Sequence, residues 1–267
     1  MPDLLPFLIC AVAYAAQAVV FWPGRITSQR PGYWRLVPLV PLMLHMALLI
    51  GAFLGGDGVR LGFSTMLSAI AALSVLVYGA ASWRYSLGGM QGVVLAIAAV
   101  AVLLQGMMGD GQLVPHSDNP AFRAHLLMSM TAYSLFLIAA LHAVFLAVAE
   151  QALQRPAEKT APAGMLPLLT IETLLFRLLE IGFVILTLTL LTGVVFSKQT
   201  FGEHLPFTHM TVFGIASWLI FATLLLGRHR YGWRGKRAIY GTLTGFAMLF
   251  LSYMGAQFVL EILLGRT

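Results

Sequence analysis

Seven histidines stand out in this chain: His45, His116, His125, His142, His204, His209 and His229. Most lie in or beside long apolar runs, where a polar side chain is costly and faces the interior of a helix bundle. His204 and His209 fall five residues apart in "FGEHLPFTHMTVFG", where the chain re-enters an apolar segment. Imidazoles paired in such places can ligate a metal. Zinc wants four N, S or O ligands, and no external Cys or cluster of Asp and Glu accompanies the pair His125 and His209. Copper would recruit Met as well, and Met107 and Met108 are the nearby thioethers. Haem iron needs only one or two axial imidazoles, an apolar pocket and a cation for its propionates.

The elements that position these histidines follow from composition. Of 267 residues, 59% are hydrophobic and 10% charged, against roughly a quarter charged in soluble domains. The pattern is that of an all-α, polytopic membrane helix bundle. Runs long enough to cross a bilayer lie at 4–22, 36–54, 62–82, 92–109, 124–149, 178–197, 210–227 and 239–263. The expectation is about eight transmembrane helices in one integral membrane domain spanning 1–267. The first run has no basic residue before it, so it is expected to be a retained helix rather than a leader.

Lys and Arg alternate between the connections. Segments 23–35, 83–91, 150–177 and 228–238 carry 3, 1, 3 and 5 of them, 12 of the 16 in all, and Arg60, Lys198, Arg123 and Arg266 fall on the opposite set. By the positive-inside rule the first set is cytoplasmic and both termini are extracytoplasmic. The net charge of +6 is then a product of topology, and no nucleic-acid partner is expected. "GRHRYGWRGKR" reads as a stop-transfer and headgroup anchor, with membrane lipid as its partner. The segment "MLPLLTIETLLFRLLEIGF" is expected to begin along the inner interface, with Arg177 and Glu180 paired on one helical face. Cys10 is the single cysteine, so neither a disulfide nor a thioether attachment can form within the chain.

Orientation turns the histidine list into depths. His125 and His209 each open an apolar run just after an external connection, which puts both at the outer face; Thr208 serves as N-cap for the second run. His45 lies ten residues after Arg35 and His142 eight before Glu150, about 15 and 12 Å from the inner ends at 1.5 Å per residue. His125 and His142 are seventeen residues apart on one helix, about 25 Å, and so belong to separate centres. Phe122, Tyr133, Phe201, Phe207, Phe213 and Trp218 lie near the outer pair, and Arg123 and Lys198 are the cations available to propionates. His204 reads as a loop residue, His116 as turn chemistry and His229 as surface.

"ETLLFRLLEIGFVILTLTLLTGVVF", "WLIFATLLLGRHRYGWRGKRAIYGTLTGFAMLF" and the helix "AHLLMSMTAYSLFLIAALHAVFLAVAEQALQ" resemble the cytochrome c assembly protein superfamily of CcsA/CcmF-like haem handlers. Within it the likeness is nearest to the inner-membrane YpjD/HemX-like branch, and it is sharpest from residue 124 onward. The resemblance implies non-covalent, b-type haem in a multi-pass protein of the bacterial cytoplasmic membrane. It implies His125 and His209 as axial ligands at the outer face, and His45 and His142 as ligands within the membrane. It further implies a cytochrome c maturation or haem-biosynthesis protein as partner. The chain departs from the pattern in two places. The Trp-rich external segment is replaced by "FGEHLPFTHMTVFG", and the second external histidine has no counterpart in "YMGAQ" at 253–257.

Two alternatives come from other classes. A regulator of haem biosynthesis would use the basic loop 228–238 as its contact surface. A small-molecule transporter would bring polar groups to mid-membrane, with Gln105 and Gln257 as the hints. An enzyme is not expected, because no nucleophile, base and activating partner fall at one depth.

Overall fold

The computed structural model describes residues 4–22, 34, 36–54, 58–83, 90–114, 117, 119–154, 168–201 and 209–258. His116, His204, Thr208 and Phe207 lie outside the described residues, as do the side chains of Lys198 and Phe201. Helices occupy each expected apolar run: α1 Leu4–Val20, α2 Leu39–Leu54, α3 Phe63–Ser82, α4 Met90–Met108, α5 Pro120–Gln154, α6 Leu168–Phe201, α7 His209–Tyr231 and α8 Lys236–Phe250. Among the described residues six helices, α3 to α8, are long and apolar enough to cross a membrane, and α1 and α2 are shorter apolar helices. The all-α membrane-bundle expectation therefore holds at the level of architecture.

The chain forms two compact units. The first contains α1 to α4, in which α1 packs on α2 and α4, and α3 on α2 and α4. Small residues set the closest approach. A Cβ added to Gly92 would fall 2.7 Å from the Phe21 carbonyl oxygen, and one on Gly106 would fall 2.6 Å from Phe7 Cβ. Close backbone approach of this kind is how membrane helices gain packing energy when apolar burial against lipid gives none. Two connections at one end of this unit also meet: β1 (Arg60–Leu61) pairs antiparallel with β2 (Gln112–Leu113). The turn before β2 requires glycine, since Gly111 has φ 81° and its Cβ would strike Gly62.

The second unit contains α5 to α8, again with each helix packed on two others: α5 on α6 and α8, α7 on α6 and α8. Phe136 of α5 stacks on Phe221 of α7 at 4.0 Å between centroids. Gly245 of α8 makes room for that pair, because a Cβ there would come within 2.7 Å of the Phe221 ring. Along α6, Ile181, Val184, Leu188, Leu191 and Val195 are exposed at spacings of three and four. That is the apolar stripe a membrane helix presents to acyl chains.

Three features differ from the sequence expectation. The helix expected to begin near 178 is continuous from Leu168, so Glu172, Arg177 and Glu180 all lie within α6 rather than on a separate interfacial turn. The reason is Glu172. It is buried, and its carboxylate receives Arg228 Nη1 at 2.8 Å and Arg234 Nε at 3.4 Å, from the end of α7 and the loop after it. Arg228 also lies 4.5 Å over the Phe176 ring and donates to the Trp233 carbonyl. Second, "GRHRYGWRGKR" is an ordered clasp. Gly227 admits the Trp233 ring against its backbone, and Gly232 and Gly235 take positive φ of 63° and 55°. Third, the last helix does not run unbroken through 239–263. After Phe250 it continues as a π-helical turn, Leu251–Gly255, and a short α9, Ala256–Phe258. The Tyr133 hydroxyl donates to the Leu249 carbonyl at 2.8 Å, occupying an acceptor of the helical ladder at the point where it slips by one residue.

Gly92→Ala is expected to destabilise the first unit by about 1 to 3 kcal/mol, because the obstructing atoms are backbone. Gly51, with nothing within 4 Å of an added Cβ, is the control. Thermal unfolding of the detergent-solubilised protein should drop for Gly92→Ala and stay put for Gly51→Ala. Glu172→Gln should weaken the clasp by about 1 to 3 kcal/mol, below the value for a fully buried pair because Arg228 and Arg234 are partly in solvent. Trypsin cleavage in 228–237 should then accelerate several-fold, and an unchanged rate would count against the clasp.

Candidate functional site

His125 lies one turn into α5, half-buried, with its Nδ1 2.8 Å from Thr192 Oγ1 of α6. Thr192 Oγ1 is 2.9 Å from the Leu188 carbonyl and 3.0 Å from the Thr189 carbonyl. Its single proton goes to one of those, so the hydroxyl accepts from the imidazole. That favours the Nδ1–H tautomer of His125, with its lone pair on Nε2. Phe122 stacks on the ring at 6.3 Å, and Gly193 lies against Cε1, where an added Cβ would be 3.6 Å away. Arg123, one candidate for propionates, donates through Nε to the Ser117 carbonyl at 2.7 Å.

His142 sits on the same unbroken helix, 1% exposed. Its Nδ1 is 2.8 Å from the Ile138 carbonyl one turn back. A carbonyl only accepts, so this ring too is the Nδ1–H tautomer. Histidines that ligate metals commonly have this arrangement, with the distal N–H donated to a carbonyl or hydroxyl and Nε2 basic. Seventeen residues of continuous α5 place His142 about 25 Å from His125.

His209 is the first residue of α7 and is exposed. Two hydrogen-bonded paths give its level relative to His125. In the first, Tyr133 reaches the Leu249 carbonyl, and Ser252 Oγ donates to the Met210 carbonyl at 2.7 Å. Counting along the helices, this path sets His125 roughly 6 Å farther out than His209. In the second, His125 reaches Thr192, and Trp218 Nε1 donates to Thr187 Oγ1 at 2.9 Å. This path sets His209 farther out, again by roughly 6 Å. The two paths bracket the histidines at one level, the end of the unit opposite the clasp.

His45 belongs to the first unit. It is fully buried, with Nε2 2.7 Å from Ser68 Oγ of α3 and Nδ1 3.3 Å from the Tyr14 hydroxyl of α1. Both ring nitrogens are therefore engaged by hydroxyls, and Tyr14 packs edge-on against the ring. The matched depths of His45 and His142 thus fall in separate units. Ligation by His45 Nε2 would require Ser68 to give way.

The other marked residues resolve locally. Trp218 stacks on Phe183 at 5.3 Å. Gln105 donates to Asp110 Oδ1 at 3.0 Å and Gln257 to the Tyr253 hydroxyl at 3.3 Å. His229 is exposed, and Met107 and Met108 are exposed at the end of α4. Among the described residues no three His, Cys, Asp or Glu side chains draw together as a metal site would require. Sequence reasoning missed Tyr14, Ser68 and Thr192, the partners of the buried imidazoles. Hydroxyl residues in apolar runs were the available signal.

Comparison with known proteins adds the following. The Cytochrome C assembly protein family matches residues 33–264. The chain is similar to the inner membrane protein YpjD of Escherichia coli (strain K12), 28% identical over 264 residues, covering 96% of this chain and 98% of that one. It is also similar to the cytochrome c biogenesis protein CcsA of Guillardia theta, 25% identical over 172 residues, covering 59% of this chain and 57% of that one. With CcsA of Heterosigma akashiwo (strain NIES-293 / 8280G21-1) it is 32% identical over 92 residues, 34% and 29% of the two chains. No solved structure matches.

The tautomers can be checked directly. Two-bond 15N–1H imidazole spectra of the full chain in detergent should show Nδ1–H at both His125 and His142. In Thr192→Val the His125 signals should shift toward a mixture of tautomers while those of His142 stay as they were.

Proposed function

The chain belongs to the cytochrome C assembly protein family, and from that premise we propose that it is a haem-handling protein of the bacterial inner membrane, non-catalytic and acting in cytochrome c assembly. The observation that carries this reading is His125. Its Nδ1 is anchored on Thr192, an aromatic ring stacks on it, and it lies toward the same end of the unit as His209. His125 and His209 would ligate haem iron at the outer face.

His142 and His45 would be the ligands within the membrane. His142 has the tautomer for the task, and His45 would exchange its Ser68 hydrogen bond for iron. Bound haem would supply a ligand-accepting iron and a planar apolar ring. The residues of this chain position the buried imidazoles through Thr192, the Ile138 carbonyl, Ser68 and Tyr14. With Cys10 as the only cysteine and buried in α1, haem held by this chain would be non-covalent and b-type.

The orientation proposed here places the clasp and the other basic connections in the cytoplasm and both termini outside. The Lys and Arg distribution supports it, as does the gathering of Glu172, Arg228 and Arg234 at one end of the second unit. A cytochrome c maturation protein is the partner this reading implies. Two of the five cations in the basic loop are held by Glu172, so the loop's first role is to secure α6 to α7.

Protein purified in detergent should carry a Soret band, or acquire one when haemin is added. His125→Ala should remove most of it. Thr192→Val, which keeps the imidazole, should weaken haem binding about tenfold or more. A pure, folded protein that neither carries nor takes up haem would overturn the proposal.

A further inference from the structure

A groove of about 290 Å³ runs between α7 and α8, floored by Leu219, Ile220, Thr223, Leu224 and Gly241. Gly241 helps to form it, since a Cβ at that position would come within 3.0 Å of Leu224. Its clasp end is closed by Trp233 and Arg237, with the guanidinium 5.5 Å over the indole ring. From Leu219 to Arg230 the helix advances about 16 Å, close to the hydrocarbon depth of one leaflet. One end of the groove is cationic and the rest is apolar.

The charges around that end are unequal in their commitments. Arg228 and Arg234 share the single Glu172 carboxylate. Arg230, Lys236 and Arg237 are exposed, and the partner shown for Arg237 is a ring rather than a carboxylate. The carboxylates at this end are Glu172 and Glu150, the latter with Oε1 3.0 Å from a Cβ built on Gly235, against the five cations Arg228, Arg230, Arg234, Lys236 and Arg237, so the net charge there is positive. The groove offers no imidazole, thiolate or carboxylate among its lining residues, so a haem lying in it would find no axial ligand. An anionic amphiphile with a long alkyl chain matches both halves.

We propose that this groove is a binding site for one anionic glycerophospholipid. Its phosphate meets Arg237 and Lys236 beside Trp233, and one acyl chain lies along Leu219, Ile220 and Leu224. The lipid lies over the α7–α8 seam at the point where Gly241 lets α8 approach Leu224 closely, and it binds next to the Glu172 clasp.

Native mass spectrometry of the full-length protein tests this, with dioleoylphosphatidylglycerol and dioleoylphosphatidylcholine added in parallel titrations. The expected result is one phosphatidylglycerol retained at least about fivefold more tightly than phosphatidylcholine, the preference one or two interfacial cations confer. Arg237→Gln with Lys236→Gln should bring the two lipids level. Gly241→Leu, which fills the groove, should remove the retained lipid, and Gly51→Leu should leave it in place. Equal retention of the two lipids by the native sequence, or a preference untouched by the Arg237 and Lys236 changes, would overturn the proposal. The readout is independent of the Soret band, so its failure would leave the haem reading standing.

Discussion

A polar side chain inside an apolar helix bundle has no water to turn to, and its hydrogen bonds must come from the protein. The buried histidines of this chain all answer that constraint, in different ways. His142 uses its own helix, donating to the Ile138 carbonyl. His125 uses the neighbouring helix through Thr192. His45 ties three helices, with Tyr14 on one side and Ser68 on the other. In each case the bond that solves the desolvation problem also aims the ring, and at His142, where the partner is a carbonyl, it selects the proton position as well. Stability and ligand geometry are therefore fixed by the same contacts.

The same constraint shapes the basic end of the second unit. Glu172 is a carboxylate in the first turns of an apolar helix, and alone it would be expensive to bury. Two arginines from across the α7–α8 connection meet it. Three glycines let the chain turn tightly enough to bring them there with Trp233 tucked against Gly227. A sequence stretch that reads as surface charge is thus mainly a device for holding α6 to α7. A buried charge pair stabilises mostly by preventing the cost of an unpaired partner, so the clasp specifies which helices meet more than it adds net energy.

What could be read from the sequence sorts along the same line. Apolar runs declare helices because the bilayer demands them, and the eight runs located α1 to α8, with α6 beginning ten residues before its run, at Leu168. Depth followed from loop charge and helical rise, which put His125 and His209 at helix mouths and His142 well inside. Partners separated by 23 to 67 residues were not legible: Ser68 for His45, Arg228 for Glu172, Thr192 for His125. Spacing reports which residues share a helix and at what level, and it carries no information on azimuth between helices. The π-helical turn escaped for the same reason. It arises where Tyr133, 116 residues earlier, takes the Leu249 carbonyl, and "LSYMG" alone carries no helix breaker except its glycine.

The missing tryptophan-rich segment gains a physical meaning from this unit. A cradle for a flat macrocycle needs rings at the helix mouths, and here the rings near His125 are Phe122, stacked on it, and the Phe183–Trp218 pair deeper in the unit. Trp218 does not lie open to the outside, because its indole N–H is committed to Thr187. His209 meanwhile sits exposed where α7 begins, its helix end fastened by Ser252 of the π-helical turn. The π-helical turn thereby acts as an anchor for the start of α7. Among the described residues, this end of the unit thus carries one imidazole held by a neighbouring helix and stacked by Phe122, and one exposed at the first turn of α7.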